Sequence, residues 1–265
     1  MITYKRLSIK NKLIKLKIIH SIFCQFGINL LKLKNIIYIP WFIKCFFKYK
    51  NFAKGNQINS IFPVFGEHKE KSSVIIKHYF NQDLLVASYI YKNNPKKHVD
   101  VGSRVDGFVA HVATFRKIEV FDIRDNNFQF KNIIFKRKDI SKIDKSLTNY
   151  CDSISCLHTL EHFGLGRYGD QLDPNGHIKG FWNLIKILKT DGMLYISFPI
   201  SDKNVTYFNS ERSFNPKEIL KWSNDLRLVK FDFIDDYEKI FLDVDLNKFH
   251  KKISYGCGIY TFKKR

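Results

Sequence analysis

HVDVGSRVDGFVAHVATFRKIEVFD, residues 98–122, runs from an apolar strand through a glycine-bearing turn into a helix, then into a second strand ending on a carboxylate. Asp122 falls twenty residues after Gly102. A glycine turn lets a ligand approach the backbone, and an acid at the tip of the next strand can accept hydrogen bonds from ribose hydroxyls. The layout predicts a nucleoside cofactor on an α/β sheet. A dinucleotide fingerprint needs G-x-G-x-x-G, whereas Ser103 and Arg104 follow Gly102 here and the next glycine is Gly107. A tight turn kept only for packing is the plain alternative, and Asp122 weighs against it.

Outward from this unit the pattern stays regular. A helix is expected over residues 73–93, strands over 98–101 and 118–122 with a helix at 105–115 between them, and a third strand over 133–136 that closes on Asp139. CDSISC (151–156) reads as a fourth strand. HIKGFWNLIKILK (177–189) has helical apolar spacing, and TDG then turns into a fifth strand, MLYISFPI (193–200). A helix near 216–223 and strands near 228–233 and 255–262 finish the chain. Strands alternating with helices predict a Rossmann-like, mostly parallel seven-stranded sheet with helices on both faces. Ligands bind beyond the carboxyl ends of such strands, so Gly102, Asp122, Asp139 and the segment from Leu157 onward should share one rim. Asp139 reads equally as a cofactor contact and as a helix N-cap.

The densest chemistry lies at residues 155–177, SCLHTLEHFGLGRYGDQLDPNGH. A polar, glycine-laced loop at a strand rim is a poor core element and a good substrate loop. His158, Glu161 and His162 sit at i, i+3 and i+4, one face of a helix. Two imidazoles and a carboxylate are a donor set for a divalent ion, and equally a hydrogen-bonded brace for the loop. The same H-x-x-E-H spacing occurs in a class of proteases, but there on a helix of a peptidase fold rather than after a buried strand.

The turn Asp100-Val101-Gly102 is similar to the acid-x-Gly turn of class I methyltransferases, in which the acid faces the amino end of the methionine moiety of S-adenosylmethionine. HYFNQDLLVA (78–87), HVDVGSRVDGFVAH (98–111), SISCLHTLEHFGLGRYGD (153–170) and LYISFPI (194–200) together resemble the DUF268 family, over roughly residues 60–265. The resemblance implies a class I methyltransferase fold and S-adenosylmethionine as cofactor, held by Asp100, Gly102, Ser103, Arg104, Gly107, Asp122, Asp139 and Leu157. Members often occur among polysaccharide-biosynthesis genes, which implies a sugar hydroxyl of capsule or O-antigen, or of a nucleotide-sugar precursor, as acceptor. The L-E-H step is also similar to O-methyltransferases in which an E-x-x-E-H run can hold a divalent ion, although His158 replaces the first Glu here. A sugar hydroxyl is a very weak acid and calls for a general base, for which His162 or His158 has the right chemistry. Glu161 would support them, or all three would ligate a metal, while Arg167, Tyr168 and Asp170 would orient the acceptor.

Charge divides the chain. The net charge is +20, and residues 1–66 hold twelve Lys or Arg and no acid. Residues 67–265 carry 33 basic against 25 acidic side chains, so this region is only mildly basic. The boundary suggests an N-terminal extension over 1–66 and a catalytic domain over 67–265. Lysines interleaved with apolar residues over 9–31, and IIYIPWFIKCFFKYK (36–50), read as a basic helical extension. It either packs on the domain, docks a partner, or makes loose contact with an anionic membrane surface through residues 1–50. Neither apolar run is long enough to span a bilayer, and a secretory signal fits poorly. The five cysteines form no C-x-x-C pair and suit a reducing cytoplasm, with peripheral attachment to the inner membrane face as one variant. Nucleic-acid methylation would explain the charge, but no D/N-P-P-Y/F follows the fourth strand and no aromatic-basic RNA module is present, so no specific nucleic acid is expected. A non-catalytic nucleotide- or sugar-binding protein is the remaining alternative.

Overall fold

The structure, a computed structural model, describes residues 16, 18–52, 60–61, 63–65, 69, 77–126, 130–142 and 144–265. Two compact units divide at 74/75, eight residues beyond the boundary that charge suggested.

In the first unit, helix α1 (Ile18–Gln25) ends at Gly27, which takes a left-handed φ of +77°. Asn29 then caps a 3-10 helix, Leu30–Tyr38, by accepting from the Leu31 N–H at 3.0 Å. It runs into α2 (Ile39–Phe52), where Pro40 sits in the first turn and costs no hydrogen bond.

The second unit opens with α3 (Lys77–Asn93) and β1 (His98–Val101). A wide turn over Val105–Val109 follows, leading to α4 (Ala110–Ala113). The expected helix over 105–115 is thus interrupted, because Gly107 is non-helical at φ −121°, ψ −113°. Strands β2 (Ile118–Asp122), β3 (Ile133–Arg137) and β4 (Cys151–Leu157) come next, then α5 (Gly176–Ile187) and β5 (Leu188–Ile200). The chain finishes with β6 (Val205–Tyr207), β7 (Glu211–Ser213), β8 (Leu226–Ile234), β9 (Ile240–Phe241) and β10 (Gly256–Lys264).

One eight-stranded sheet runs β3-β2-β1-β4-β5-β10-β8-β9. Strands β1 to β5 are parallel, while β10 lies antiparallel between β5 and β8. Strand order reverses between β1 and β4, which opens a crevice at the carboxyl ends of both. The expected seven strands are extended by β9, and β6 and β7 form a separate hairpin. Residues 189–192 loop out of the β4–β5 ladder, which steps from Cys151↔Leu188 to Ser153↔Met193 with Asp191 at φ +62°. The TDG turn is therefore real but lies inside the strand. The helix expected near 216–223 shortens to a 3-10 turn, Glu218–Lys221.

Period-two alternation builds two cores. Val99, Val101, Phe121 and Ile154 face the layer under α5 with Phe181 and Leu184, whereas Ile118 and Val120 face α3 and α4 with Val86, Ile90, Phe108 and Val112. Both faces of the central strands β1 and β4 are covered, which leaves their carboxyl ends at the rim for a ligand.

Candidate active site

Beneath the rim, polar groups set the first turn. Gly102 has φ +75°, its N–H donates to the Phe121 carbonyl at 2.9 Å, and a Cβ there would meet the Thr159 Cγ2 at 2.3 Å. Only glycine fits. Asp100 is fully buried and accepts from the Ser103 N–H at 3.0 Å, the Ser103 hydroxyl at 2.8 Å and the Ser155 hydroxyl at 2.6 Å. Burial pushes its pKa up to about 6 against those three donors. Its carboxylate thus holds the turn at the place where the amino end of a cofactor is expected. Ser103 is held with it. Both ring nitrogens of His98 lie beside the hydroxyls of Ser153 and Ser155, at 2.8 and 3.2 Å, and burial holds its pKa down to about 3.

Three other expected cofactor contacts also take structural places. Arg104 is exposed and paired with Asp106 at 2.7 Å. Gly107 leaves room for Asp83, whose Oδ2 would stand 2.9 Å from a Cβ. Leu157 is buried in the core under α3.

Asp122, at the tip of β2, keeps its expected place. Its carboxylate accepts from the Arg124 N–H and Nε–H, both at 2.9 Å, and from Nη2 at 2.7 Å. The Arg124 guanidinium lies 4.7 Å over the Tyr168 ring. Asp139 follows β3 and accepts from the Ser141 N–H and hydroxyl at 3.0 and 2.5 Å. Of its two readings the structure shows a capping role, but the residue caps a turn rather than a helix.

After β4, His158 adopts a left-handed φ of +47° and carries the chain into a 3-10 turn, Leu160–His162. Its Nδ1 lies 3.1 Å from Glu161 Oε1 and its Nε2 lies 3.3 Å from the Cys257 Sγ on β10, while the Tyr79 ring stands 4.9 Å from its own. Burial opposes charge on His158, but Cys257 and Glu161 outweigh it and raise its pKa well above the ordinary value. Glu161 is fully buried, and its Oε2 has no hydrogen-bond partner. His162 directs Nδ1 at the Ser210 carbonyl, 2.6 Å away, which makes Nδ1 the donor, while its Nε2 lies 3.8 Å from Glu161 Oε1. The edge of Tyr168 packs on the same ring at 5.6 Å between centroids.

The glycine loop is held from within. Asp170 accepts from the N–H groups of Gly164 at 2.7 Å, Gly166 at 3.4 Å and Tyr168 at 3.2 Å, and so organises the loop. Gly164 has φ +78°, and a Cβ would stand 2.0 Å from the Asp173 carbonyl oxygen. Arg212 on β7 is buried and donates to the carbonyls of Glu161, Phe163, Asp173 and Pro174. Arg167 stays exposed, donates to the Ser210 carbonyl at 3.2 Å and reaches over Tyr168 at 5.3 Å.

Gly102, Asp122, Arg124, Asp139, His158 and His162 line one small cavity of about 60 Å³ together with Tyr168 and Asp170. A groove of about 1070 Å³ flanks it on the β2–β3 side, lined by Arg104, Phe130 and Phe135 among others. The two share Asp122 and Arg124, and among the described residues the small one is lined by His158 and His162. Ligand pockets run to several hundred Å³, so Arg124 must leave Asp122 before a nucleoside fills this cavity. With that movement the residues fit S-adenosylmethionine, since Asp122 then presents a carboxylate to a ribose at the crevice between β1 and β4. A divalent ion does not fit. Both nitrogens of His158 face protein partners, and among the described residues no group of three His, Cys, Asp or Glu is arranged to hold a metal. Cys257 and Arg124 were not anticipated. Nothing in the sequence around Cys257 signals its contact, whereas Arg124, two residues beyond Asp122, is a local ion-pair signal.

Residues 96–255 match the model of a family described as Caenorhabditis protein of unknown function, DUF268. No curated protein matches the chain. Solved structures are similar in fold at low identity. The N-methyltransferase NodS from Bradyrhizobium japonicum, bound to S-adenosylhomocysteine, is 12% identical, with 72% of this chain and 89% of that one covered at a TM-score of 0.51. A putative sarcosine dimethylglycine methyltransferase from Galdieria sulphuraria is 15% identical, with coverages of 69% and 85% and a TM-score of 0.50. The [4+2]-cyclase SpnF is 12% identical, with coverages of 69% and 80% and a TM-score of 0.51. The fold is the Rossmann-like one of class I methyltransferases.

Proposed function

This chain belongs to the DUF268 family, and from that premise we propose that it is an S-adenosylmethionine-dependent O-methyltransferase. Its acceptor is a sugar hydroxyl of a surface polysaccharide, or of the nucleotide-sugar precursor. One observation carries the reading: the strand-end acid Asp122 and the imidazole of His162 line the same small cavity at the strand reversal. The family's association with polysaccharide loci supports the sugar acceptor.

When bound, S-adenosylmethionine supplies an electrophilic methyl group, so the protein has to align the acceptor oxygen and take its proton. Asp122 holds the ribose once Arg124 has turned away, and the bare Gly102 turn admits the ligand to the backbone. His162 accepts the acceptor's proton at Nε2, because Nδ1–H is anchored on the Ser210 carbonyl. His158 is a positioning residue, held between Glu161 and Cys257, that sets the turn carrying His162. Arg167 stands on the exposed side of Tyr168 and meets an acidic or phosphorylated acceptor there.

Calorimetric titration with S-adenosylhomocysteine, repeated with a divalent ion and with NAD, tests the reading. Micromolar binding of S-adenosylhomocysteine without metal is expected. One observation favours a non-catalytic protein on this fold, namely that Arg124 already satisfies Asp122. That reading leads if no ligand binds under any condition.

A further inference from the structure

A helix in water keeps one apolar face for its core and a polar face for the solvent. The N-terminal unit breaks this rule. None of the described residues from 16 to 51 is buried, and among the described residues between Leu16 and Val64 eighteen large apolar side chains are exposed. Phe26 is 78% exposed and Ile37 is 70% exposed. Helix α2 turns Phe42 and Phe46 partly inward, with Phe42 edge-on to Phe65 at 5.5 Å, and still exposes Ile43 and Phe47 on its other sides. Soluble monomers rarely leave contiguous apolar patches beyond a few hundred Å² uncovered, so something covers this one.

Charge selects the cover. Residues 1–66 carry twelve cations and no anion, and the lysines recur through the apolar run at positions 32, 34, 44, 48 and 50. An obligate protein interface is depleted of lysine, and a second copy of this unit would set lysines against lysines. An anionic lipid surface meets both demands, since apolar side chains enter the acyl boundary while lysine stems lie along it with their ammonium groups among phosphates. Geometry selects the mode. No single described helix is long and apolar enough to cross a membrane, and the pair Ile18–Gln25 and Leu30–Asn51, which together would be, is bent by 82°. Lysines spaced along the run would lie in hydrocarbon if the segment spanned, whereas in the interfacial plane they reach water.

We propose that α1, the 3-10 helix and α2 form an interfacial anchor that lies in the plane of an anionic bilayer. The chain turns between the two arms at Gly27, whose left-handed φ of +77° favours glycine, and both arms can then follow the surface. The anchor does not depend on the methyltransferase reading, and its test does not involve the cofactor.

The experiment is flotation of the full-length protein with vesicles of phosphatidylcholine alone and of phosphatidylcholine mixed with phosphatidylglycerol. The protein should float with the mixed vesicles at low salt, much less with phosphatidylcholine alone, and the difference should shrink as salt rises. Each Lys→Gln substitution among Lys32, Lys34, Lys44 and Lys50 should weaken partitioning about fivefold. Phe26→Ser with Ile37→Ser should weaken it on both vesicle types with every charge retained. An unchanged helical signal in far-UV circular dichroism shows that the first unit of these variants is still folded. A protein that stays in solution with both vesicle types, or whose flotation ignores the lysine substitutions, overturns the proposal. So does a concentration-dependent dimer in sedimentation whose formation the Phe26→Ser and Ile37→Ser pair abolishes, since that makes a second copy the cover.

Discussion

Replacing Asp122 by alanine isolates the acid to which the proposed function assigns the cofactor ribose. Hydrogen bonds to a charged acceptor contribute about 1.5–3 kcal/mol each, so two ribose hydroxyls on this carboxylate are worth about 3–6 kcal/mol. Binding must first displace Arg124, whose side chain is 56% exposed, so that pair offsets no more than about 1 kcal/mol. The alanine variant gives up part of each ribose bond to water, which leaves a net loss of about 2–4 kcal/mol, or roughly thirtyfold to a thousandfold in affinity. The fold should survive. The backbone of Asp122 stays in register with Arg137, and the side-chain bonds of its carboxylate run to Arg124. Calorimetry with S-adenosylhomocysteine reads the affinity, and the thermal transition reads the fold. An unchanged dissociation constant in a folded variant would refute the assignment of Asp122 to the site.

Arg124→Ala should have the opposite effect, tightening S-adenosylhomocysteine up to about fivefold because Asp122 is released; weaker binding would instead make Arg124 a ligand contact. His162→Ala should leave that affinity intact and lower the turnover about 10²–10⁴-fold once an acceptor is in hand, so full activity would reject it as the base. Arg212→Ala strands four loop carbonyls and should cost at least about 3 kcal/mol, seen as a drop of about 6–12 °C in Tm. Asp100 has a folded-state pKa of about 6 against an ordinary 3.8, so the native state favours its protonated form. Its contribution to stability therefore falls as pH rises from about 4 to about 6 and is level above that. Relative to wild type, Asp100→Asn should gain about 3 kcal/mol in urea unfolding across that window, and a pH-independent difference would show that Asp100 is not held that way.

Much of the scaffold was legible because its signals are local. The strands over residues 98–101, 118–122 and 133–137, and the helices on either side, follow from apolar runs and turn residues within a few positions of each other. Asp122 was legible for the same reason, as strand-end acids are placed by the strand that carries them. The helix at 105–115 was overestimated, because Gly107 yields to Asp83 arriving from α3, a neighbour more than twenty residues away. Asp170 reads as a ligand contact by residue type and Asp139 equally as a contact or a cap, and in the structure both carboxylates accept from N–H groups of their own short loops.

By itself the sequence determined an α/β sheet with a nucleoside-type rim, a loop rich in histidine and glycine after the fourth strand, and a basic apolar N-terminal segment. Periodicity, turn chemistry and charge counts are properties of neighbouring residues and survive without a fold. Only the tertiary structure decided which polar groups were already spent. The Asp100 carboxylate is consumed by Ser103 and by Ser155 from a different strand, and His158 is taken by Cys257, ninety-nine positions along the chain. Buried polar atoms take partners wherever the packing brings them, so the anchoring of His162 on the Ser210 carbonyl and the orphaned Glu161 Oε2 nearby are visible only in the folded chain.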